Sequence, residues 1–476
     1  MTTAEISARD RVPLGQKIAF GTGHLVNNLL PGALGVFMFF LLTAFGMDPF
    51  LAGLLGGLPR IFDALTDPIM GYISDNTKSR WGRRKPYIFI GAILTGGLFI
   101  LLWQLDAANS QTYNFWYFLI VSLIFIIGNT IFSTPLIGLG YEMTSDYKER
   151  TRLMAFSQTI GQIAWMIVPW FWVLIANPNL FETQADGVRQ LAIIVGAICM
   201  VLGILPAFFC KEVNYDQITN QDEITFGKLW GNFKSMLSNM SLIAKNEPFL
   251  RLCAATFLVF NGFQLVSSFS YFIMVFYMFQ GDYGLAGTWP AWFSTVSALC
   301  TALLIIPIVT ALANKYGKRN AFIVATLISI VGYALKWWGF NPENPWMIFM
   351  PIPFMVFGIG GLFTLMLSMT ADVCDLDELR NGMPRKEASF GAVYWWMVKL
   401  GMGLAMVLGG LVLKMVGFDQ TASIQTAETL TNLRLADILI PATTAALAIW
   451  VMWKYDLTEE KANQIKAELI ERRGEF

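Results

Sequence analysis

Two carboxylates within an apolar segment are the first residues of this chain that could do chemistry. Asp63 and Asp67 lie four residues apart in the stretch RIFDALTDPIMGYISDNTKSRWGRRK, which runs from Arg60 to Lys85. Four residues make about one helical turn, so on a helix both carboxylates share one face. A charge this deep in a bilayer costs roughly 2.5–3.5 kcal/mol per residue on insertion scales unless it is paired or solvated. The pair therefore predicts a site at which charge is used.

Two chemistries fit these carboxylates. Na⁺ is a hard cation that takes oxygen ligands, and Thr66 adds a hydroxyl oxygen between the two acids. A proton could instead be held by carboxylates whose burial and mutual repulsion favour the protonated form. A third interpretation is a buried ion pair with Arg60 or Lys399 that only holds helices together. We favour the functional interpretations because two acids on one intramembrane face are costly for a purely structural purpose.

The composition indicates the class of protein that must position this site. The chain has 476 residues, of which 55% are hydrophobic and 14% charged, whereas soluble domains carry about 25% charged residues. Apolar runs of nearly 20 residues recur along its length, which predicts a polytopic α-helical membrane protein. The net charge of +0 gives no reason to expect a nucleic acid partner. The sequence shows no metal motif, nucleophile–base pair or nucleotide-binding loop, so neither an enzyme nor a bound cofactor is expected.

Hydropathy predicts twelve spans in two sets of six. The longest gap, 211–247, is polar and then amphipathic, which predicts a cytoplasmic connector with a surface helix between domains at 1–210 and 248–476. Lys and Arg concentrate in every second loop, so both termini are predicted to be cytoplasmic by the positive-inside rule. The predicted spans are 17–45, 50–74, 86–104, 113–140, 152–176, 189–210, 248–280, 288–314, 320–340, 346–373, 388–417 and 434–454.

Similar charged loops recur at corresponding places in the two halves. A short basic turn with a glycine follows the second span at Gly82 and the eighth at Gly317, and loops rich in both acids and bases follow the fourth and tenth spans. Parallel repeats of this kind are typical of major facilitator transporters. The predicted fold is therefore an all-α membrane protein of the major facilitator type, with twelve transmembrane helices in two six-helix bundles.

One motif makes the resemblance more specific. Gly71-x-x-x-Asp75 followed by Arg80-x-Gly82-Arg83-Arg84 resembles the signature loop of the major facilitator superfamily. The longer string from Arg60 through Asp63 and Asp67-Pro68 to Asn76-Thr77 and Ser79-Arg80-Trp81-Gly82 resembles the melibiose-permease family, the glycoside–pentoside–hexuronide:cation symporters. The Tyr-x-x-x-Val-Lys399-x-Gly401 context of the eleventh span is similar to that family too. The resemblance covers essentially the whole chain.

The resemblance implies a function and a cation site. It implies symport of a sugar or glycoside with Na⁺ or H⁺ by alternating access. It also implies that Asp63, Thr66 and Asp67, with Thr130 of the fourth span, bind the coupling cation. Na⁺ would then be held by the two carboxylates if the protein is sodium-coupled.

The chain departs from the family at three positions that bind sugar. Ser133 stands where the family carries an acid, Gln158 where it carries an arginine, and Gly23 lies where it carries a lysine–aspartate pair. Cation coupling is therefore better supported than any particular sugar. A cation-coupled carrier of a non-sugar amphiphile such as a lysolipid stays open, as does a membrane sensor that does not transport.

Candidate substrate contacts are polar or aromatic residues on spans expected to face a central cavity. Lys399 lies within an apolar stretch and would pair with Asp63 or Asp67, unless it snorkels to the interface. His24, the only histidine, could bind substrate, relay a proton or join two helices. The candidates are His24, Asn27, Asn129, Ser133, Gln158, Gln162, Trp165, Gln264, Tyr394, Trp395 and Lys399.

Charged residues in the basic loops suggest a cytoplasmic latch. Ion pairs between them would hold one conformation closed, although the same charges could serve only to orient the protein. The candidates are Asp75, Arg83, Glu142, Arg150, Asp372 and Arg385. We further expect a monomer that contacts membrane lipid in a bacterial-type inner membrane.

Overall fold

The computed structural model consists of helices joined by short turns. It describes residues 11–144, 147–212, 227, 231, 246–381, 387–422 and 424–473, and these contain no β-strand. The surface helix predicted within 211–247 lies almost wholly outside the described residues, as does Arg385. The contacts divide the chain into two compact units, Met1–Phe233 and Lys234–Phe476. The domain limits drawn from the sequence stay predictions.

The N-terminal unit contains six long helices. Helix α1 packs against α5 and α6, α2 against α4, and α3 against α4 and α6. Side-chain caps begin three of these helices: Asp48 accepts backbone N–H groups of α2, Ser110 caps α4 and Thr183 caps α6. The helices are α1 (Leu14–Thr43), α2 (Pro49–Asn76), α3 (Lys85–Leu102), α4 (Gln111–Glu142), α5 (Tyr147–Ile175) and α6 (Gln184–Phe209).

The C-terminal unit has more broken helices. Two of its spans contain π-helical segments, Ile273–Met278 and Thr301–Ile305, and a 3₁₀ turn covers Pro345–Phe349. Its helices are α7 (Glu247–Val266), α8 (Phe269–Phe272), α9 (Tyr283–Ala286), α10 (Trp289–Cys300), α11 (Ile306–Tyr316), α12 (Lys318–Gly339), α13 (Ile352–Asn381), α14 (Glu387–Met415), α15 (Ala427–Trp453) and α16 (Glu459–Arg473).

The helices correspond to the predicted spans. Among the described residues, eleven helical spans are long and apolar enough to cross a membrane. The remaining predicted span is α2, a helix of 28 residues that carries Arg60, Asp63 and Asp67. The sequence did not predict α16, which packs against α13 and buries Ala462, Ile465 and Leu469 on one face. Because α16 is mostly polar, hydropathy along the sequence does not detect its apolar stripe.

A glycine on α3 fixes the position of α4. A Cβ atom at Gly91 would lie 2.5 Å from the backbone nitrogen of Phe132 on α4, so only glycine permits this approach. Phe132 is itself fully buried and lies between Thr130 and Ser133. The close packing of α3 on α4 therefore fixes the position, along the helix axis, of the α4 residues that face α2.

Candidate cation site

The carboxylate of Asp63 faces two threonine hydroxyls where α2 packs on α4. Thr130 Oγ1 donates to Asp63 Oδ1 over 3.3 Å, and Thr66 Oγ1 lies 3.1 Å from Thr130 Oγ1. Thr66 Oγ1 is also 3.1 Å from the backbone oxygen of Asp63. Asp63 is 4% exposed and Thr130 is 2% exposed. The structure thus brings together three of the four residues that the resemblance implied for the cation.

The second carboxylate makes a parallel contact one turn further along. Thr134 Oγ1 donates to Asp67 Oδ1 over 3.4 Å. Both aspartate–threonine pairs are separated by 67 residues, so α2 and α4 stay in register over this turn. Asp67 and Thr134 are half-buried, in contrast to Asp63 and Thr130. The two carboxylates therefore differ in their surroundings although they share one helix face.

The hydroxyl protons of Thr66 and Thr130 are too few for the contacts that these two side chains make. Thr66 and Thr130 each carry one O–H proton, yet they make three contacts: to Asp63 Oδ1, to the Asp63 carbonyl and to each other. At least one of these oxygen–oxygen contacts thus takes no proton from the two hydroxyls, and either a proton on Asp63 or a cation would complete it. A cation among these oxygens would satisfy the facing lone pairs, since hard cations take carboxylate and neutral oxygen ligands.

Asn129 and Pro135 add polarity to the same part of α4. Asn129 is 7% exposed, and its Oδ1 has no hydrogen-bond partner among the described residues. Pro135 lies inside α4 and has no N–H, so it cannot donate to the carbonyl of Ile131. Ser133 is half-buried on the same helix. This turn of α4 therefore offers oxygens beyond those of the threonines.

The predicted substrate contacts of α1 and α5 lie around Asn28. Trp165 Nε1 donates to Asn28 Oδ1 over 3.2 Å, and Asn28 Nδ2 donates to the carbonyl of His24 over 2.9 Å. A Cβ at Gly161 on α5 would lie 2.7 Å from Asn28 Nδ2. His24 Nε2 is buried and has no hydrogen-bond partner within the described part of the chain. Sequence reasoning did not select Asn28, which nonetheless joins the two helices.

The remaining α1 and α5 candidates differ in exposure. Asn27 is half-buried, whereas Gln158, Gln162 and Trp165 are exposed and recur at helical spacing on one face of α5. A polar and aromatic stripe of this kind suits a surface that hydrogen-bonds a ligand. Thr22, next to the altered position Gly23, instead donates to backbone carbonyls at Ala19 and Leu202.

The candidate substrate contacts of the C-terminal unit also differ in exposure. Tyr394 is fully buried, with its hydroxyl 3.4 Å from Thr256 Oγ1, so in this structure it offers no surface to a ligand. Trp395 is exposed and its ring is stacked near that of Phe363. Gln264 and Lys399 are half-buried. The predicted pairing of Lys399 with Asp63 or Asp67 involves both units and stays a prediction.

An ion-pair network covers the cytoplasmic end predicted for the N-terminal unit. Arg83 and Arg84 both pair with Glu142, with 3.1 Å between Arg84 Nη1 and Glu142 Oε1. Glu212 Oε1 accepts the backbone N–H groups of Arg83 at 3.0 Å and Arg84 at 2.9 Å. A carboxylate there complements the positive N-terminal end of α3. Sequence reasoning selected Arg83 and Glu142 but missed Glu212, which follows α6.

The C-terminal unit repeats part of this arrangement. Gly82 and Gly317 both have positive φ, at 105° and 80°, and each precedes the basic start of a helix. Lys318 Nζ lies 2.5 Å from Asp372 Oδ2, so Asp372 pairs with the start of α12 much as Glu142 does with α3. The side chains of Asp75 and Arg150 lie outside the described residues. These ion pairs each stay within one unit, and a latch between the units stays a prediction.

A further ion pair ties α1 to the start of α5. Glu149 is buried, 2.7 Å from Lys17 Nζ, and accepts the backbone N–H of Val12 at 3.1 Å. Burial opposes ionisation, but Lys17, the Val12 N–H and the nearby charge of Arg152 together outweigh it and lower the pKa of Glu149. A lowered carboxyl pKa stabilises the fold above the unfolded-state pKa, and that stability is lost as the pH falls through the folded-state value.

We therefore expect Glu149→Gln to lower the free energy of unfolding at pH 7 by about 1.5–3 kcal/mol, since a charged hydrogen bond is lost. The difference from the parent should shrink as the pH falls below the usual glutamate range. Thermal unfolding of the purified protein at pH 7 and at low pH measures both effects. The exposed Glu182 in the same unit supplies the matched variant Glu182→Gln. Equal losses in the two variants would contradict the assigned role of Glu149.

Two units of apolar helices, with one buried and one half-buried carboxylate facing hydroxyls in the first, form an integral multi-pass membrane protein whose fold is that of the major facilitator transporters. The sequence model of the MFS/sugar transport protein family matches residues 19–459, and the chain belongs to that family. Its members are membrane transporters, not enzymes. The match confirms the resemblance to glycoside–cation symporters drawn from the loop around Gly82.

Individual relatives are distant but match along their whole length. The isoprimeverose transporter of Lactiplantibacillus pentosus is 23% identical over 468 residues, covering 96% of this chain and 92% of the relative. The sodium-dependent lysophosphatidylcholine symporter 1 of Gallus gallus is 22% identical over 508 residues, covering 98% and 91%. The solved structure of the nucleoside transporter NupG is 15% identical, with a TM-score of 0.64 and coverage of 93% and 100%. That last likeness shows the fold alone.

Proposed function

We propose that this protein is a secondary active symporter that carries a sugar or glycoside together with a cation. The observation that carries the proposal is the pairing of Asp63 with Thr130 and Thr66 where α2 packs on α4. Asp67 extends the site by one turn. The coupling ion is the only bound species that this function needs besides the cargo, and no resident cofactor is proposed.

The ion that these residues suit best is Na⁺. A proton on Asp63 would complete the hydrogen bonds of the two threonines and would use one carboxylate, whereas Na⁺ takes several oxygen ligands and would use both carboxylates. The second carboxylate, one helical turn from the first and also in contact with a hydroxyl, therefore favours a cation with several oxygen ligands. H⁺ coupling is the alternative, since two nearby carboxylates can also share a proton.

The cargo is assigned from the family and from the polar face of α1 and α5. The relative from Lactiplantibacillus pentosus is named for transport of isoprimeverose. In this chain Gln158, Gln162 and Trp165 supply exposed hydrogen-bonding groups and one exposed aromatic ring. Sugars need both, because their hydroxyls take hydrogen bonds and their C–H faces stack on aromatic rings.

A non-sugar amphiphile such as a lysolipid is the second candidate cargo. Ser133 is half-buried where the sugar permeases carry an acid, and the Gallus gallus relative is named for sodium-dependent lysophosphatidylcholine symport. Loss of that acid removes a group that would fix sugar hydroxyls and disfavour an apolar chain. The cation site is the same in both proposals, so only the cargo distinguishes them.

The topology is proposed from the charges of the loops. Lys and Arg in every second loop support a topology with both termini on the cytoplasmic side, and a bacterial-type inner membrane is proposed as the location. The protein is proposed to act as a monomer, since each unit already encloses its own helix contacts. Membrane lipid is its surroundings, and nucleic acid is not a partner.

Uptake into proteoliposomes tests the function. Radiolabelled mono- and disaccharides and a lysophospholipid are offered under an inward Na⁺ gradient, a pH gradient, or neither, with protein-free vesicles as the control. We expect a glycoside to accumulate only with the Na⁺ gradient. Accumulation driven by the pH gradient alone would overturn the sodium assignment. Accumulation of the lysophospholipid and of no glycoside would establish the second candidate.

A further inference from the structure

A second threonine of α4, Thr134, contacts Asp67, the half-buried carboxylate of the cation site. Thr134 Oγ1 donates to Asp67 Oδ1 over 3.4 Å, one helical turn from the contact of Thr130 with Asp63. Neither composition nor charge marks Thr134 in the sequence, because a threonine in a span is ordinary. The geometry marks it, because both pairs share the same register between α2 and α4.

The two pairs differ in what holds their carboxylates. Asp63 is 4% exposed, so its surroundings fix the orientation of its side chain. Asp67 is half-buried, so burial restricts its side chain less than that of Asp63. A hydroxyl donor on the facing helix restricts that rotation, and an ordered ligand loses less entropy when it binds an ion. The hydroxyl matters more at Asp67 than at Asp63 for this reason.

Resting on the proposed coupling function, we propose that Thr134 is a positioning residue of the coupling-cation site that holds Asp67 ready for Na⁺. Its hydroxyl proton holds Asp67 Oδ1 toward α4. Its neutral oxygen adds no charge to the site. The basic group of α2 nearest to this site in sequence, Arg60, lies one turn before Asp63.

The nearby residues explain why this role falls on Thr134. The adjacent Ser133 is neutral, and the turn of α4 from Thr130 to Thr134 contains no carboxylate. The methyl group of Thr134 lies 3.7 Å from the position that a Cβ on Gly71 would take. The side chain thus packs its methyl toward α2 at Gly71 while its hydroxyl meets Asp67. A valine keeps this packing and loses only the hydroxyl.

Na⁺-dependent thermal stability of the purified protein tests the proposal without a known cargo. An ion that binds only the folded state raises the unfolding temperature in proportion to ln(1 + [Na⁺]/Kd), so a NaCl titration balanced with choline chloride reports the affinity. The variants are Thr134→Val, Thr134→Ser and Thr95→Val. Thr95 is a fully buried threonine on α3 whose Oγ1 has no hydrogen-bond partner among the described residues. It provides the same substitution outside the site.

We expect Thr134→Val to weaken the apparent Na⁺ affinity about 10-fold or more, as for a lost hydrogen bond to a charged group. Thr134→Ser should stay within about threefold of the parent because it keeps the donor, and Thr95→Val should match the parent. If Thr134→Val does not fold, Thr134→Ala removes the same hydroxyl without any risk of a clash.

Three results would overturn the proposal, and they are distinguishable. A parent-like midpoint in Thr134→Val overturns the role of Thr134 and leaves the Na⁺ site in place. Equal losses in the serine and valine variants show that packing matters and the hydroxyl does not. A parent protein that shows no stabilisation by Na⁺ over choline overturns sodium coupling itself, and the role of Thr134 with it.

Discussion

Replacing Asp63 with asparagine is expected to abolish cation-driven uptake while leaving the protein folded. Asparagine has the same shape and its Oδ1 still accepts the Thr130 hydroxyl, so the 3.3 Å contact between α2 and α4 survives. The negative charge that attracts the ion does not survive. Losing one partner of a buried charge interaction typically costs about 2–5 kcal/mol, which predicts at least a 30-fold weaker cation affinity.

The measurement compares uptake and Na⁺-dependent stabilisation in the parent, Asp63→Asn and Asp67→Asn. We expect the larger loss at Asp63, because it is the buried carboxylate and Asp67 is half-buried. Asp456→Asn is the matched control, since Asp456 is an exposed aspartate that pairs with Lys461 only at 3.8 Å. Cation-driven uptake that persists in Asp63→Asn, with an unchanged cation midpoint, would show that the coupling site lies elsewhere.

The substitution also separates coupling from binding of the cargo. If the cargo binds to groups on α1 and α5, Asp63→Asn should still exchange cargo across the membrane. It should no longer accumulate cargo against a concentration gradient. Exchange needs the conformational change but no ion gradient. A variant that loses both activities and remains folded would indicate that the carboxylate also contacts the cargo, or that the empty charged site is needed for the conformational change.

Part of this site could be predicted from the sequence because charge in an apolar span is a strong local signal. Asp63 and Asp67 stand out on cost alone, and their spacing puts them on one helix face. The helices follow the predicted spans because hydropathy depends on composition along the chain. Thr130 was predicted from the family resemblance, and in the structure its hydroxyl contacts Asp63.

The residues that sequence reasoning missed have no local signal. Thr134 and Asn28 are small polar residues in apolar helices, and only the packing of α4 on α2 and of α5 on α1 gives them partners. Glu212 follows a span in a charged loop, where an acid is unremarkable until its contacts with the start of α3 are known. The π-helical segments leave no mark in hydropathy, because they change the backbone hydrogen bonds and not the residues.

The clearest missed feature is an ion pair in the C-terminal unit. Lys336 on α12 lies 2.6 Å from Asp437 on α15, and their side chains are 3% and 1% exposed. Lys336 precedes two tryptophans near the end of a span, a pattern that indicates a lysine at the membrane interface. The guanidinium of Arg434, one turn before Asp437, is 4.1 Å from the ring of Tyr277 and 4.2 Å from that of Trp337. Tyr277 belongs to the π segment, so three parts of the unit meet at this point.

We expect Lys336→Met alone to lower the free energy of unfolding by about 3–5 kcal/mol, because it leaves the Asp437 carboxylate buried without its ammonium partner. Asp437→Leu alone should cost a similar amount for the converse reason. The double variant should recover most of the loss, since replacing a buried pair with apolar side chains of similar volume is often neutral or stabilising. Unfolding of the four proteins in detergent gives the coupling energy as a double-mutant cycle.

The exposed pair of Lys461 and Asp456 calibrates the cycle. Its atoms are 3.8 Å apart and both side chains are more than half exposed, so Lys461→Met should change the free energy of unfolding by no more than about 1 kcal/mol. A loss in Lys336→Met that is no larger than this would contradict the assigned burial of the pair. Uptake then decides what the pair is for. A double variant that regains both stability and uptake restricts the pair to holding α12 against α15, whereas regained stability without uptake would assign its charges to the transport cycle.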